Sequence, residues 1–306
     1  MNARPTNHAF PPAALLALLF CIVPQFARGQ QADLRQQIER VIRPFPGDVG
    51  VAVRHLERGD TLSVNGKKRY PMQSVYKFPQ ALAVLHEVDK GKLSLQQKIH
   101  LTRRDLLPDT WSPLREKYPD ADVDVTLDEI LRYTVAQSDN NGCDVLFRLL
   151  GGTRPVDQYV HGLGVRGIAI AATEEEMHRA WDVQFTNWCE PVAMLALLEG
   201  FYQGKYLSKA SSDYLWKVMA ETTTGPDRIK GLLPKETVVA HKTGTSGTNK
   251  EGVSAATNDV GIVTLPNGEH FAIVVFVANA TADAKTREAV IARITRAVWD
   301  DFTAKR

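Results

Sequence analysis

The chain has 306 residues, 44% hydrophobic and 24% charged, enough apolar material for one large domain or two interlocked ones. Its 37 basic and 35 acidic residues give a formal net charge of +2. That near-neutrality argues against a nucleic-acid or anionic-membrane partner, and no CxxC or HExxH spacing offers a metal site.

The first residues, "MNARPTNHAFPPAALLALLFCIVPQFARGQ", depart from this composition. A polar stretch with Arg4 leads into an apolar run, Ala13 to Val23, too short for a comfortable membrane span. Ala27 and Gly29 then supply the small residues that a signal peptidase reads. Residues 1–29 therefore read as a cleaved secretory signal with a mature start near Gln30; a retained anchor is the alternative. Bulky Phe20 argues against lipid attachment at Cys21. Without Arg4 and Arg28 the mature chain balances at 35 basic and 35 acidic residues. A periplasmic protein free of the membrane after cleavage is expected. Its two cysteines, Cys143 and Cys189, are too few for a disulfide scaffold. Free buried thiols are expected, with a bridge as the alternative.

In chain order, "LRQQIERVIRPF" has helical spacing, and "GDVGVAVRHL" and "TLSVNGKKRY" alternate like two strands around the turn "ERGD". From Ser74 the pattern stays helical for more than a hundred residues. "ALAVLHEVDKG", "NGCDVLFRLLGG" and "PVDQYVHGLG" stop at glycines. "TLDEILRYTVAQ" begins with the Thr126–Glu129 spacing of a capping box. "PVAMLALLEGFYQG" opens on a proline, and "ASSDYLWKVMAET" follows. Strands return in "TVVAHKTGT", "TNDVGIVTL" and "EHFAIVVFVA", before a last amphipathic helix, "AKTREAVIARITRAVWDDF".

This order predicts an α/β protein of α+β type. Residues 30–73 and 222–306 would form a mainly antiparallel five-stranded sheet with flanking helices from both chain ends. Residues 74–221 would form a central all-helical lobe. The cleft between two such lobes is a usual place for a small-molecule site.

Four short strings carry possible chemistry. In "PMQSVYKFP", Ser74 and Lys77 lie one helical turn apart on the same face. They are either a helix-starting residue and a solvated charge, or a nucleophile and the amine that manages its proton. "SDN" at 138–140 falls between two helices and equally suits a polar cap. "KTG" at 242–244 ends a strand and equally suits a Gly-rich turn. "ATEEEMHRAWDVQFTNW" fills an irregular stretch from about Ala172.

The joint occurrence of S-V-Y-K, S-D-N and K-T-G, in this order, resembles the class A serine β-lactamases. The resemblance covers essentially the whole mature chain. Through "QSVYKFP", "LLPDTWSP", "TTTGPDRIKGLLP" and "VVAHKTGTSG" it is nearest to the PER/VEB-like extended-spectrum subgroup. It implies the serine β-lactamase and DD-peptidase fold, no cofactor, a small-molecule β-lactam substrate and a monomer.

It also implies roles. Ser74 would be the nucleophile and Lys77 its proton manager, Ser138 would relay a proton to the lactam nitrogen, and Asn140 would hold the substrate's side-chain amide. Lys242 and Thr243, with Gly244 between strand and turn, would orient the substrate carboxylate. The backbone N–H groups of Ser74 and Thr245 would form the oxyanion hole. Whether Lys77 or a glutamate-bound water activates Ser74 stays open.

The family's Glu-x-x-Leu-Asn loop best matches Glu174-Glu175-Glu176-Met177-His178, which selects Glu174 as the deacylation base and puts His178 where an asparagine would contact the water. Glu175 and Glu176 read as solvated. The strand after KTG lacks the family's frequent arginine, so Arg228 is expected to supply that charge. Trp111 is expected to wall the cleft entrance. The long "TNKEGVSAA" stretch after KTGTSG and the altered loop suggest room for bulky oxyimino-cephalosporins. A DD-peptidase acting on peptidoglycan stems and a covalent sensor that acylates and stops are the competing readings. Glu174 favours the hydrolase over both.

Overall fold

A computed structural model describes Met1 and residues 25–304. The apolar run at 13–23, on which the signal reading rests, lies outside the described residues. The chain opens with helix α1 (Gln25–Ile42), then strands β1 (Asp48–His55), β2 (Thr61–Val64) and β3 (Tyr70–Pro71). A 3₁₀ turn, Gln73–Tyr76, leads directly into α2 (Lys77–Asp89). Strand β4 (Lys98–Leu101), α3 (Pro113–Lys117), β5 (Val123–Thr126), α4 (Leu127–Ala136), α5 (Asn140–Leu150) and α6 (Thr153–Gly162) follow. Next come β6 (Ile168–Ala169), α7 (Glu174–Arg179), β7 (Trp188–Cys189), α8 (Pro191–Tyr202) and α9 (Lys209–Ala220). The chain ends with β8 (Val239–Thr245), β9 (Ser254–Thr264), β10 (His270–Ala280) and α10 (Ala284–Ala304).

The main sheet has the order β2-β1-β10-β9-β8 and is antiparallel throughout, so strands from both chain ends meet in it. Its centre is β10, whose sequence reads as a nearly unbroken apolar run because both faces are covered. Ala272, Val274 and Phe276 face the cluster shared with the intervening helices. Phe271, Ile273, Val275 and Val277 face the cluster built with α1 and α10. Helix α10 buries Val290, Ile291, Ile294 and Val298 there, the spacing of a single helical stripe.

The helical middle differs in detail from the pattern. A small antiparallel strand pair, β4 with β5, interrupts it, where "KIHL" and "VDVT" favour strand by alternation, and β6 and β7 join β3 in a second small sheet. The capping box at Thr126 is half made. Thr126 accepts from Glu129 N–H at 3.2 Å, but the Glu129 carboxylate accepts instead from Lys117 and the Tyr118 hydroxyl. A complete box occurs on α7, between Thr173 and Glu176. Cys143 and Cys189 are both free and buried, and burial pushes both thiols well above the ordinary cysteine range. No helix among the described residues is long and apolar enough to cross a membrane.

Candidate active site

Ser74 is not a helix cap. It sits inside the 3₁₀ turn, one turn ahead of Lys77, the first residue of α2. Gln73 before it takes the left-handed backbone, φ +48°, and its amide donates to Gln184 Oε1 at 2.5 Å. The turn is clamped to the sheet by Asn258 on β9, whose amide donates to the carbonyls of Pro71 and Met72 at 2.8 and 3.1 Å. Gly244 on β8 lies so close that a Cβ there would collide with the Met72 carbonyl oxygen. Only glycine permits this approach of strand to turn.

Lys77 is fully buried and its Nζ has four neighbours. Ser74 Oγ, the Ser138 carbonyl and Glu174 Oε1 each lie at 2.9 Å, and Asn140 Oδ1 at 2.6 Å. An ammonium has three N–H bonds, so these four contacts cannot all be separate donations. Ser74 Oγ is also 3.3 Å from Glu174 Oε1. The hydroxyl thus lies against both the Lys77 nitrogen and the Glu174 carboxylate.

The SDN tripeptide joins α4 to α5 with each residue in a different job. Ser138 takes the left-handed backbone, φ +59°. Asp139 is the N-cap of α5, accepting from Gly142 N–H at 2.7 Å, from Leu114 N–H at 2.7 Å and from the Ser112 hydroxyl. Its burial raises its pKa despite those bonds. Asn140 uses both ends of its amide: the oxygen faces Lys77 and the nitrogen donates to Thr110 Oγ1 at 2.8 Å. Lys242, fully buried on β8, donates to Ser138 Oγ at 2.9 Å and to the Thr243 carbonyl. Burial first, and then the charge of Lys77, holds the Lys242 amine well below the usual lysine range.

Glu174 opens α7, a six-residue helix where an irregular segment was expected. Glu176 is its capping partner, its carboxylate accepting from Thr173 N–H at 2.8 Å, while Glu175 pairs with Arg179. Asp144 on α5 seats the helix by accepting from the N–H groups of Glu174 and Glu175 at 2.8 and 2.9 Å. Burial, then the Glu174 charge, pushes the Asp144 carboxyl up to about 6. Asn187 ties the preceding segment down, accepting from Ala171 and Ala172 N–H and donating to the Ala172 carbonyl. Sequence reasoning missed Asp144, Asn187 and Asn258. Only Asp144 left a signal, standing four residues after Asn140 on the same helix face.

These groups border a cleft of about 430 Å³. Ser74, Asn140, Glu174, Thr245, His178 and Trp111 all line it. Trp111 is 57% exposed at the mouth, its indole N–H held by the Gln137 carbonyl at 2.9 Å. Of the expected substrate contacts, Lys242, Thr243, Gly244 and Arg228 are not among the residues lining the cleft. Thr243 is 2% exposed, its hydroxyl 2.5 Å from that of Thr224, because strand alternation turns it to the face opposite Lys242. Arg228 is 5% exposed and does not line the cleft. It pairs with Glu288, bonds the carbonyls of Gly244 and Asn258, and donates to Thr245 Oγ1 at 2.7 Å. Its charge therefore reaches the site through Thr245.

A family model described as "Beta-lactamase enzyme family" matches residues 33–302. The chain is 48% identical over 293 residues to β-lactamase VEB-1 of Pseudomonas aeruginosa, covering 95% of this chain and 97% of that protein. It is 42% identical over 271 residues to the extended-spectrum β-lactamase PER-1 of the same organism, covering 89% and 88%. A solved β-lactamase from Chitinophaga pinensis superposes with a TM-score of 0.86 at 59% identity, over 88% of this chain and 98% of that one.

Proposed function

The chain belongs to the β-lactamase enzyme family, in class A, and from that premise we propose that it opens β-lactams through an acyl-enzyme on Ser74 that Glu174 then hydrolyses. The observation that carries this reading is the Ser74–Lys77–Glu174 triangle, where the floor of the cleft meets the α7 segment above it. Ser74 Oγ attacks the lactam carbonyl, and its proton passes to Lys77 or, through water, to Glu174. The carbonyl oxygen gathers charge against the N–H groups of Ser74 and Thr245. Each such donor is worth about 3–4 kcal/mol of barrier. The C–N bond breaks, the nitrogen takes a proton from Ser138, and the proton that Ser74 gave up returns to Ser138, which Lys242 supports from 2.9 Å, leaving Glu174 ionised. A water, deprotonated by Glu174, then attacks the ester carbon, and Ser74 leaves with a proton.

The cleft extends between Met177, Trp181 and Gln184 on one side and Ser246 and Gly247 on the other. That breadth supports turnover of oxyimino-cephalosporins, the finer part of the reading. It acts as a monomer that confers β-lactam resistance from the periplasm, exported by the 1–29 signal.

Mass spectrometry of purified protein with a penicillin tests the mechanism. Glu174→Ala is expected to accumulate a stable adduct with turnover lowered roughly a hundred- to ten-thousandfold, the worth of a general base. Ser74→Ala is expected to form none. Normal steady-state turnover by Glu174→Ala would overturn the assignment, and no measurable hydrolysis of a ceftazidime-like substrate by the unmodified enzyme would remove the extended-spectrum part.

A further inference from the structure

A second cavity of about 220 Å³ adjoins the cleft, walled by the segment 107–110 and by Asn141, Asp144, Glu175 and Arg179. Glu174 and His178 border both spaces. They form one stripe of α7, with Met177 on the cleft flank and Glu175 and Arg179 on the other. Asp109, Thr110 and Asn140 complete the shared wall.

We propose that this rear cavity is the entrance by which hydrolytic water reaches Glu174 while an acyl group fills the cleft, with His178 as the partition between them. The inference rests on the acyl-enzyme reading above. Glu174 Oε1 is taken by Lys77 and Ser74, whereas its second oxygen makes no hydrogen bond within the described chain. A general base needs its water within hydrogen-bond reach. A bound ligand typically buries most of its own surface in its pocket, so a bulky acyl side chain in the cleft closes the frontal approach. The rear space holds several times the roughly 30 Å³ of a liquid water. Its lining is mostly apolar, with polar groups at Asn141, Asp144 and Glu175. His178 makes no hydrogen bond among the described residues, so its ring is available to pass a water inward. This gives the histidine at the expected asparagine position a use of its own.

The test fills the cavity from walls outside the catalytic groups. Leu107→Trp enters from one side and Arg179→Trp from the other, with Leu107→Ala as the control for loss of the leucine. In a plugged enzyme kcat and KM are expected to fall together, roughly tenfold, with kcat/KM unchanged, the signature of slowed deacylation alone. The deficit is expected to be larger for an oxyimino-cephalosporin than for a small penicillin, since the larger acyl group blocks the front more fully. Wild-type kcat in both folded tryptophan variants would overturn the proposal, as would a fall in kcat/KM equal to that in kcat. Absence of any acyl adduct in Glu174→Ala would instead bring down the Ser74 reading itself.

Discussion

Lys77 and Lys242 are fully buried and emerge from elements packed on the core, whereas none of the six residues of α7, which carries Glu174, is buried. The floor of the cleft is thus held by apolar packing and by the approach of β8 to the Ser74 turn. Its roof hangs on a few polar clamps: Asp144, Asn187 and the Thr173–Glu176 box. On the proposed mechanism the floor carries the groups that form the acyl-enzyme, and the roof carries the group that breaks it down. Damage to the two regions should therefore separate the two half-reactions.

The floor should fail most severely at Gly244. Gly244→Ala puts a methyl against the Met72 carbonyl, and backbone cannot move aside as a flexible side chain can. Turn and strand must part, and a displacement near 1 Å costs roughly a hundredfold in rate. Acylation should suffer, so kcat/KM is the constant expected to fall. Unchanged kcat/KM would show that the close approach has no bearing on the chemistry.

The roof should fail next, at Asp144. An asparagine there can accept from only one of the two N–H groups, and its own NH₂ faces the other donor. Asp144→Asn is expected to lower deacylation roughly ten- to hundredfold, with kcat and KM falling together. Acid should mimic it, because protonation near pH 6 removes the charge that the two N–H groups address. The stability sign runs the other way. A carboxyl raised in the fold contributes stability that is present at low pH and lost as the pH rises through about 6. Activity lost without stability as the pH falls would identify the loop seat, and a kcat flat across that range would refute it.

A smaller effect belongs to Lys242. Its folded pKa lies below the unfolded one, so its ammonium form is a stability cost that disappears as the pH rises. Its proton supports Ser138, so kcat/KM is expected to lose its alkaline limb below the usual lysine range. Lys242→Arg, which keeps its charge, should move that limb upward. An unmoved limb would assign the titration to another group.

Much of the floor was legible in the sequence because its signals are local. Ser74 and Lys77 are three residues apart, SDN falls at a helix junction and KTG at a strand end, and the structure brings these strings together. The register that selected Glu174 also placed a carboxylate beside Ser74. The clamps were not legible. Asn258 and Asn187 act across 186 and 15 residues, and a buried amide gives no periodic or spacing signal. Thr243 was assigned to substrate by resemblance and Arg228 by the missing arginine on the next strand, but no spacing announces their contacts with Thr224 and Glu288. Helix α7 escaped notice because six residues are too few to show a period, although Thr173 and Glu176 carry its capping signature.

The smallest prediction uses that signature to probe the same contrast. Thr173→Ala removes the acceptor for Glu176 N–H, at a typical cost of about 1 kcal/mol. If the roof opens independently of the core, that cost appears as local unfolding. Hydrogen exchange should then quicken at the Met177 amide, which is bonded to the Thr173 carbonyl, while the global Tm stays nearly constant. Glu174 would spend more time away from Ser74, lowering kcat slightly and leaving kcat/KM alone. A fall of several degrees in Tm without faster local exchange would mean that α7 unfolds only with the whole protein. In that case a thin polar attachment is not enough to make a segment move by itself, and the division of labour between floor and roof is chemical without being dynamic.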